Sequence, residues 1–107
     1  MSISQDEVEK ALDYLATSAK TYAEAKGRRV WLEEKRKIIK AQAFSLAEGT
    51  KDERESAAYQ SGDYKQCVED LRDAVVAEET SRAWRTAAEA KIEVFRTLES
   101  SRRAANV

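Results

Sequence analysis

Apolar and small side chains recur through the first half of the chain at alternating spacings of three and four residues. The members of this series are Val8, Ala11, Leu15, Ser18, Tyr22, Ala25, Leu32, Ile39, Ala43 and Leu46. Such spacing lines up side chains on one face of an α-helix and is typical of coiled-coil packing. Arg29 and Arg36 occupy two further positions of the same series. The pattern predicts one long helix over about residues 4–48.

Capping residues indicate where this helix begins and ends. Ser4 and Glu7 have the spacing of a capping box, in which each side chain bonds the other residue's free backbone N–H. Gly27 falls inside the pattern, and a single glycine rarely ends so long a helix. Gly49 follows the last apolar position, so we expect it to end the helix in the left-handed conformation.

Two more helices are predicted after Gly49. Thr50 and Glu53 form a second capping box, which opens a short helix over about residues 51–58. Asp63 is the expected cap of a second long helix over about residues 63–103. The apolar residues of that helix form two blocks on either side of a polar stretch, and they are Tyr64, Val68, Leu71, Val75, Trp84, Ala88, Phe95 and Leu98.

Charge supports an antiparallel pairing of the two long helices. Residues 26–40 carry seven basic and two acidic side chains, and the stretch expected opposite, 68–82, carries five acidic and two basic ones. The signs also match between 5–25, with five acidic and two basic side chains, and 83–103, with five basic and three acidic. The predicted fold is therefore all-α, a coiled-coil-like antiparallel hairpin with a short connecting helix, forming one domain over residues 1–107.

The same pairing predicts a polar layer midway along the hairpin. It places Lys26 and Arg29 opposite Glu78 and Glu79, where both apolar series are interrupted. Polar layers of this kind fix the register of paired helices while often lowering their stability.

A two-helix hairpin buries only one stripe of each helix, so its core is thin. Trp31, Phe44, Trp84 and Phe95 are more large apolar side chains than one such stripe accommodates. We therefore expect the chain to associate with copies of itself into an oligomeric helical bundle.

Composition argues against an enzyme. The 107 residues include no histidine, the commonest general base and a frequent metal ligand, and the three glycines are too scattered for a phosphate-binding loop. Cys67 is the only cysteine and lies among apolar residues, so a buried structural thiol is expected. We predict no catalytic residue, no metal site and no cofactor.

The chain also lacks the sequence features of membrane targeting. Residues 1–6 have neither the basic start nor the apolar run of a signal peptide, and no apolar stretch approaches the roughly 20 residues that span a bilayer. We expect a cytoplasmic protein with no membrane partner.

One stretch, residues 26–40, carries candidate binding chemistry. Its net charge is +5, against −3 for residues 68–82, and it contains a tryptophan. Basic side chains neutralise phosphates and an aromatic face stacks on bases, a combination suited to single-stranded nucleic acid. The candidate contacts are Arg28, Arg29, Trp31, Lys35, Arg36, Lys37 and Lys40. The alternative is that these cations pair with the acidic stretch and that Trp31 belongs to the core.

The order of these features resembles the UvsY-type recombination mediators of phages. The matching segments are Trp31-Leu32, the basic-apolar run 35–41, the turn at Ser61-Gly62, and Thr80-Ser81-Arg82-Ala83-Trp84. The resemblance covers about residues 31–100, and it extends to small helical proteins that tailed phages encode near replication genes. It implies a self-assembling helical protein of the host cytoplasm that binds single-stranded DNA. It also implies a recombinase or a single-strand-binding protein as partner.

The expected function is therefore a non-enzymatic accessory role in phage DNA recombination or replication. A protein–protein adaptor or inhibitor without nucleic-acid contact is the alternative, and a structural or scaffold component is a third interpretation. Salt-dependent binding to oligonucleotides separates the first two, because phosphate contacts weaken steeply as salt rises.

Overall fold

A computed structural model describes residues 2–106, and these residues form three α-helices and no strand. Helix α1 spans Gln5–Leu46, α2 spans Lys51–Gln60 and α3 spans Gly62–Ala105. The predicted all-α fold, with two long helices that pack on each other and a short one between them, is confirmed. Met1 and Val107, the ends of the predicted domain, lie outside the described residues.

Two of the predicted caps are present. The Glu7 backbone N–H donates to Ser4 Oγ over 3.2 Å, and the Glu53 N–H donates to Thr50 Oγ1 over 3.2 Å. These bonds satisfy backbone donors that the first turn of a helix leaves without a partner. Helix α1 ends at Leu46, and Gly49 adopts the left-handed region with φ of 112°.

The predicted cap of the last helix was wrong by two residues. Ser61 caps α3, because its Oγ accepts from the Tyr64 N–H over 3.3 Å, while Asp63 lies within the first turn. The same Ser61 hydroxyl donates to the Ala58 carbonyl at the end of α2. A single serine therefore ends one helix and begins the next, which leaves no room for a longer loop.

The chain divides into two compact units. The first combines the described residues of 1–23 with those of 79–107, and the second is Glu24–Glu78. In the first unit Tyr22 Oη accepts from Arg82 Nε over 3.3 Å, whereas Leu15, earlier in α1, accepts through its carbonyl from Arg85 Nη1 over 2.8 Å. The later residue of α3 therefore contacts the earlier residue of α1, so the two helices are antiparallel in this unit.

In the second unit a small apolar cluster joins α1 to α3. Leu32 of α1 packs with Cys67, Leu71 and Ala74 of α3, and half-buried Ile39 covers the cluster. The Cys67 thiol is buried and lies 3.7 Å from the Leu32 carbonyl oxygen. The predicted buried thiol is therefore present.

The predicted stripe of α1 agrees with the observed burial at every position except the last. Every member from Val8 to Ala43 is buried or half-buried, including both seam arginines, and only Leu46 is exposed, at 85%. The series uses two positions in every seven residues, so its side chains stay on the face of α1 that packs on α3.

The predicted stripe of α3 was wrong at four positions. Val68, Val75, Trp84 and Leu98 are exposed. The buried or half-buried positions at alternating three and four spacing are Tyr64, Cys67, Leu71, Ala74, Glu78, Ser81, Arg85, Ala88, Ile92 and Phe95. Several of these are small or polar, so larger apolar neighbours just beside the stripe outweighed them in the sequence pattern.

One pair of the predicted polar layer, Arg29 with Glu78, is present in the second unit, whereas Glu79 pairs with Arg82 of its own helix. Arg29 Nε donates to Glu78 Oε2, and Arg29 Nη2 lies 3.3 Å from Glu78 Oε1. Arg29 Nη1 also donates to Glu33 Oε1 over 2.8 Å. Hydrogen bonds to Glu78 and then to Glu33 raise the pKa of Arg29 above its ordinary value. Glu78 itself is 0% exposed, the largest fully buried side chain among the described residues.

The short helix α2 packs on the end of α1 through cations stacked on aromatic rings. Arg54 stacks on the Phe44 ring at 4.4 Å and donates to the Phe44 carbonyl over 3.2 Å. Lys40 lies 4.0 Å from the centre of the Tyr59 ring. A cation is attracted to the negative face of an aromatic ring, so both contacts favour the packing of α2 on α1. No helix within residues 2–106 is long and apolar enough to cross a membrane.

Candidate nucleic-acid interface

Three of the seven candidate residues lie along one side of α1. Arg28, Trp31 and Lys35 are spaced three and four residues apart, which stacks their side chains along one side of a helix. Arg28 is exposed, Lys35 is half-buried, and Trp31 is 57% exposed. We call these three residues the Trp31 face. It places an aromatic ring between two cations on one helix.

Neither cation of the Trp31 face has an ion-pair partner within residues 2–106. Lys35 lines a cleft of about 260 Å³ that Asp63 and Asp70 also line, and neither carboxylate comes within 4.0 Å of its amine. These acids lower the local positive potential without neutralising the lysine by direct contact.

Two candidates, Arg29 and Arg36, lie on the apolar stripe of α1. Arg29 is held by Glu78 and Glu33, and most of its side chain is covered. Arg36 is half-buried and makes no ion pair with any of residues 2–106. Removing Arg29 from its carboxylates would leave Glu78 charged and buried, so Arg29 is a structural cation in this arrangement.

The last two candidates, Lys37 and Lys40, lie away from the Trp31 face. Lys37 sits about 120° around the helix from Trp31 and pairs with Glu34 over 3.2 Å. Lys40 donates to Tyr59 Oη over 2.5 Å and pairs with Glu55 over 3.6 Å. The hydrogen bond to Tyr59 is the main cause of a raised Lys40 pKa. Lys40 therefore holds α2 in place.

These positions bear on both interpretations of the basic stretch. Trp31 is exposed and is therefore not a core residue. Of the cations in residues 26–40, only Arg29 forms an ion pair with a described residue of the acidic stretch 68–82. Lys37 and Lys40 pair with acids outside 68–82. Within residues 26–40, four cations make no ion pair with any described residue, and they are Lys26, Arg28, Lys35 and Arg36.

A second feature, in the other unit, was missed at the sequence level. Tyr14 and Trp84 line a cleft of about 300 Å³, together with small residues of both helices. Trp84 is 65% exposed, although its size had placed it on the predicted apolar stripe. The spacing of Trp84, Lys91 and Leu98 could have indicated this surface, because these residues lie seven apart and beside the buried series of α3.

No group of three or more metal-ligating side chains comes together among residues 2–106. Comparison with protein-family models, with curated proteins and with solved structures finds no match for this chain. The fold and the Trp31 face together describe a helical protein built around two long packed helices, with a small cation–aromatic surface.

Proposed function

We propose that this chain is a non-enzymatic, self-associating helical protein that binds single-stranded DNA through the Trp31 face. The observation that carries the proposal is the exposed Trp31 ring between two cations without ion-pair partners. A base that stacks on an aromatic side chain contributes about 1–3 kcal/mol, whichever base it is. Phosphates on either side of that base would meet Arg28 and Lys35, and release of their counterions favours binding.

Because the overall charge of the chain is −1, nucleic-acid binding would depend on a local group of cations such as the Trp31 face. A near-neutral chain does not attract nucleic acid as a whole, so binding depends on where the unpaired cations lie. One copy offers few phosphate contacts, and self-association would multiply them on one assembly. The proposed biological role is an accessory to phage DNA recombination or replication, with a recombinase or single-strand-binding protein as partner and the host cytoplasm as location.

A titration of labelled single-stranded DNA tests the proposal. The double variant Arg28→Glu/Lys35→Glu should lose binding at about 50 mM salt, because two phosphate contacts become repulsive. Trp31→Ala should weaken binding by about tenfold or more through lost stacking, while keeping the salt dependence. In the wild type, each phosphate contact contributes about 0.7 to the slope of log affinity against log salt.

The matched control reverses two positive charges on another side of α1. Lys26→Glu/Lys37→Glu alters the net charge equally, and both residues lie about 120–140° around the helix from Trp31. This control should retain binding and helicity. Equal loss in both double variants would mean that charge alone, and not the Trp31 face, governs binding. A wild-type protein without measurable affinity at about 50 mM salt would refute single-strand binding.

A protein–protein adaptor remains the second candidate, favoured by Ile38. This residue follows Trp31 by seven positions on the same side of α1 and is 48% exposed, so the two could form an apolar contact for another helix. Ile38→Ala separates the two functions. Single-strand binding should tolerate the change, whereas a helix docked across Trp31 and Ile38 would lose a central anchor.

A further inference from the structure

The cleft lined by Tyr14 and Trp84 lies beside the exposed Trp84 ring. Small side chains line it, those of Ala11, Ala87 and Ala88, and its volume is about 300 Å³. Tyr14 and Trp84 stand exposed at its sides. A large knob and a shallow hole on one patch make that patch complementary to itself, as a two-fold symmetric interface requires.

Two opposite charges without partners also line this cleft. Glu7 belongs to α1 and Lys91 to α3, and neither makes an ion pair with any described residue. Lys10, which also lines the cleft, is paired with Asp6 over 3.1 Å. The cleft therefore presents one free carboxylate on one helix and one free amine on the other.

We propose that a second copy of this chain occupies the cleft, related to the first by a two-fold axis parallel to the helices. This operation places α1 of each copy across α3 of the other, at the same height and in the antiparallel sense. Glu7 of each copy then faces Lys91 of its partner, and Tyr14 faces the partner's Trp84 and Ala87. The four helix segments form a bundle in which every neighbouring pair is antiparallel, a common arrangement.

Charge favours this orientation over its reverse. With the axis perpendicular to the helices, α3 would lie against α3, and Lys91 would face a stripe of Thr80, Trp84, Ala87 and Val94 that holds no carboxylate. A stable interface covers about 800 Å² on each partner, so the contact is expected to continue along α3 beyond this cleft. Val94 and Leu98 line a further cleft of about 230 Å³ along α3.

Mixing two charge variants tests the surface and its orientation together. Glu7→Lys alone sets two amines against each other across the dimer, and Lys91→Glu alone sets two carboxylates against each other. Each single variant should therefore dimerise about fivefold more weakly. An equimolar mixture of the two variants pairs opposite charges at one contact of a mixed dimer and again at the other. We expect the mixture to recover the wild-type dissociation constant, measured by sedimentation.

Tryptophan fluorescence gives an independent reading, because the chain contains only Trp31 and Trp84. In a Trp31→Phe background, Trp84 emission should shift to the blue as concentration rises through the dimer range. In a Trp84→Phe background, Trp31 emission should not shift. Trp84→Ala should weaken dimerisation by at least about tenfold, as expected for a central aromatic anchor. Leu12→Ala, an exposed apolar residue outside the cleft, should leave it unchanged.

This inference rests on the proposed self-association, and the outcomes separate the two. A monomer at every concentration would overturn both and would leave the cleft to a different partner. An oligomer that ignores the charge variants and the Trp84 change would keep self-association and overturn this surface. Failure of DNA binding alone has no bearing on either result.

Discussion

Glu78 is the residue on which the polar layer depends. It is fully buried, and half-buried Arg29 meets it with two guanidinium nitrogens and meets Glu33 with the third. Burying such a pair costs desolvation, so its net contribution to stability is small even though breaking it is costly. Such a pair favours one register, since a slip of the helices would separate Glu78 from Arg29.

Replacing Glu78 and Glu79 separately tests this difference. Glu78→Gln removes a buried negative charge beside Arg29 and should lower the free energy of unfolding by about 2 kcal/mol. Glu79 pairs with Arg82 on the surface, where the side chains are about half exposed, so Glu79→Gln should change it by less than about 0.5 kcal/mol. Urea unfolding followed by circular dichroism at one protein concentration measures both. Equal losses would show that the layer is not anchored by Glu78.

The polar layer was predictable because charge of one sign extends over many residues of each helix. The Arg29–Glu78 contact follows from pairing a basic stretch with an acidic one, and it does not depend on side-chain detail. The contacts of Arg85 are different. Its Nη1 reaches the Leu15 carbonyl and Ser18 Oγ, each over 2.8 Å, and its guanidinium lies 5.6 Å from the Tyr22 ring. A long flexible side chain can reach several partners, so its choice emerges only with the packed backbone.

At the scale of the helices, α1 was easier to predict than α3. In α1 half of the positions at three and four spacing are large apolar residues, such as Val8, Leu15 and Leu32. In α3 the same period runs through Cys67, Ala74 and Ser81, while bulkier residues lie one position away. Size and hydrophobicity favoured the wrong neighbours there. Strict adherence to the period would have placed Val68 and Val75 outside the core.

The two glycines of α1 and its connector should respond to alanine in opposite directions. Gly27 lies within α1, and a Cβ there would meet no atom within 4 Å, so Gly27→Ala should stabilise the protein by about 1 kcal/mol. Gly49 has φ of 112°, and a Cβ there would clash with the Glu53 carboxylate. Gly49→Ala should therefore destabilise it by about 1–2 kcal/mol. Denaturation midpoints at one concentration give both signs, and a loss at Gly27 would mean that this position is covered.

At the scale of the molecule, few of the large apolar residues within 2–106 are buried. Eight apolar side chains are buried among the described residues, and four of these are alanines. Twelve large apolar residues of the same part of the chain are exposed, including both tryptophans. Monomeric proteins tolerate scattered exposed apolar residues, but large contiguous apolar patches mark contact surfaces. The imbalance favours an assembly in which several of these side chains leave water.

Thermal unfolding should consequently depend on protein concentration. If folding and association are linked, mass action stabilises the assembly by about 1.4 kcal/mol for each tenfold rise in concentration. For a dimer of 107-residue chains the unfolding entropy converts this into about 3 °C per tenfold. Circular dichroism melts between about 1 and 100 μM should therefore differ in Tm by about 6 °C. Trp84→Ala should flatten the dependence at low concentration, whereas Leu12→Ala should preserve it. A wild-type Tm that stays constant across this range would show that the hairpin folds alone, with its exposed tryptophans serving a different partner.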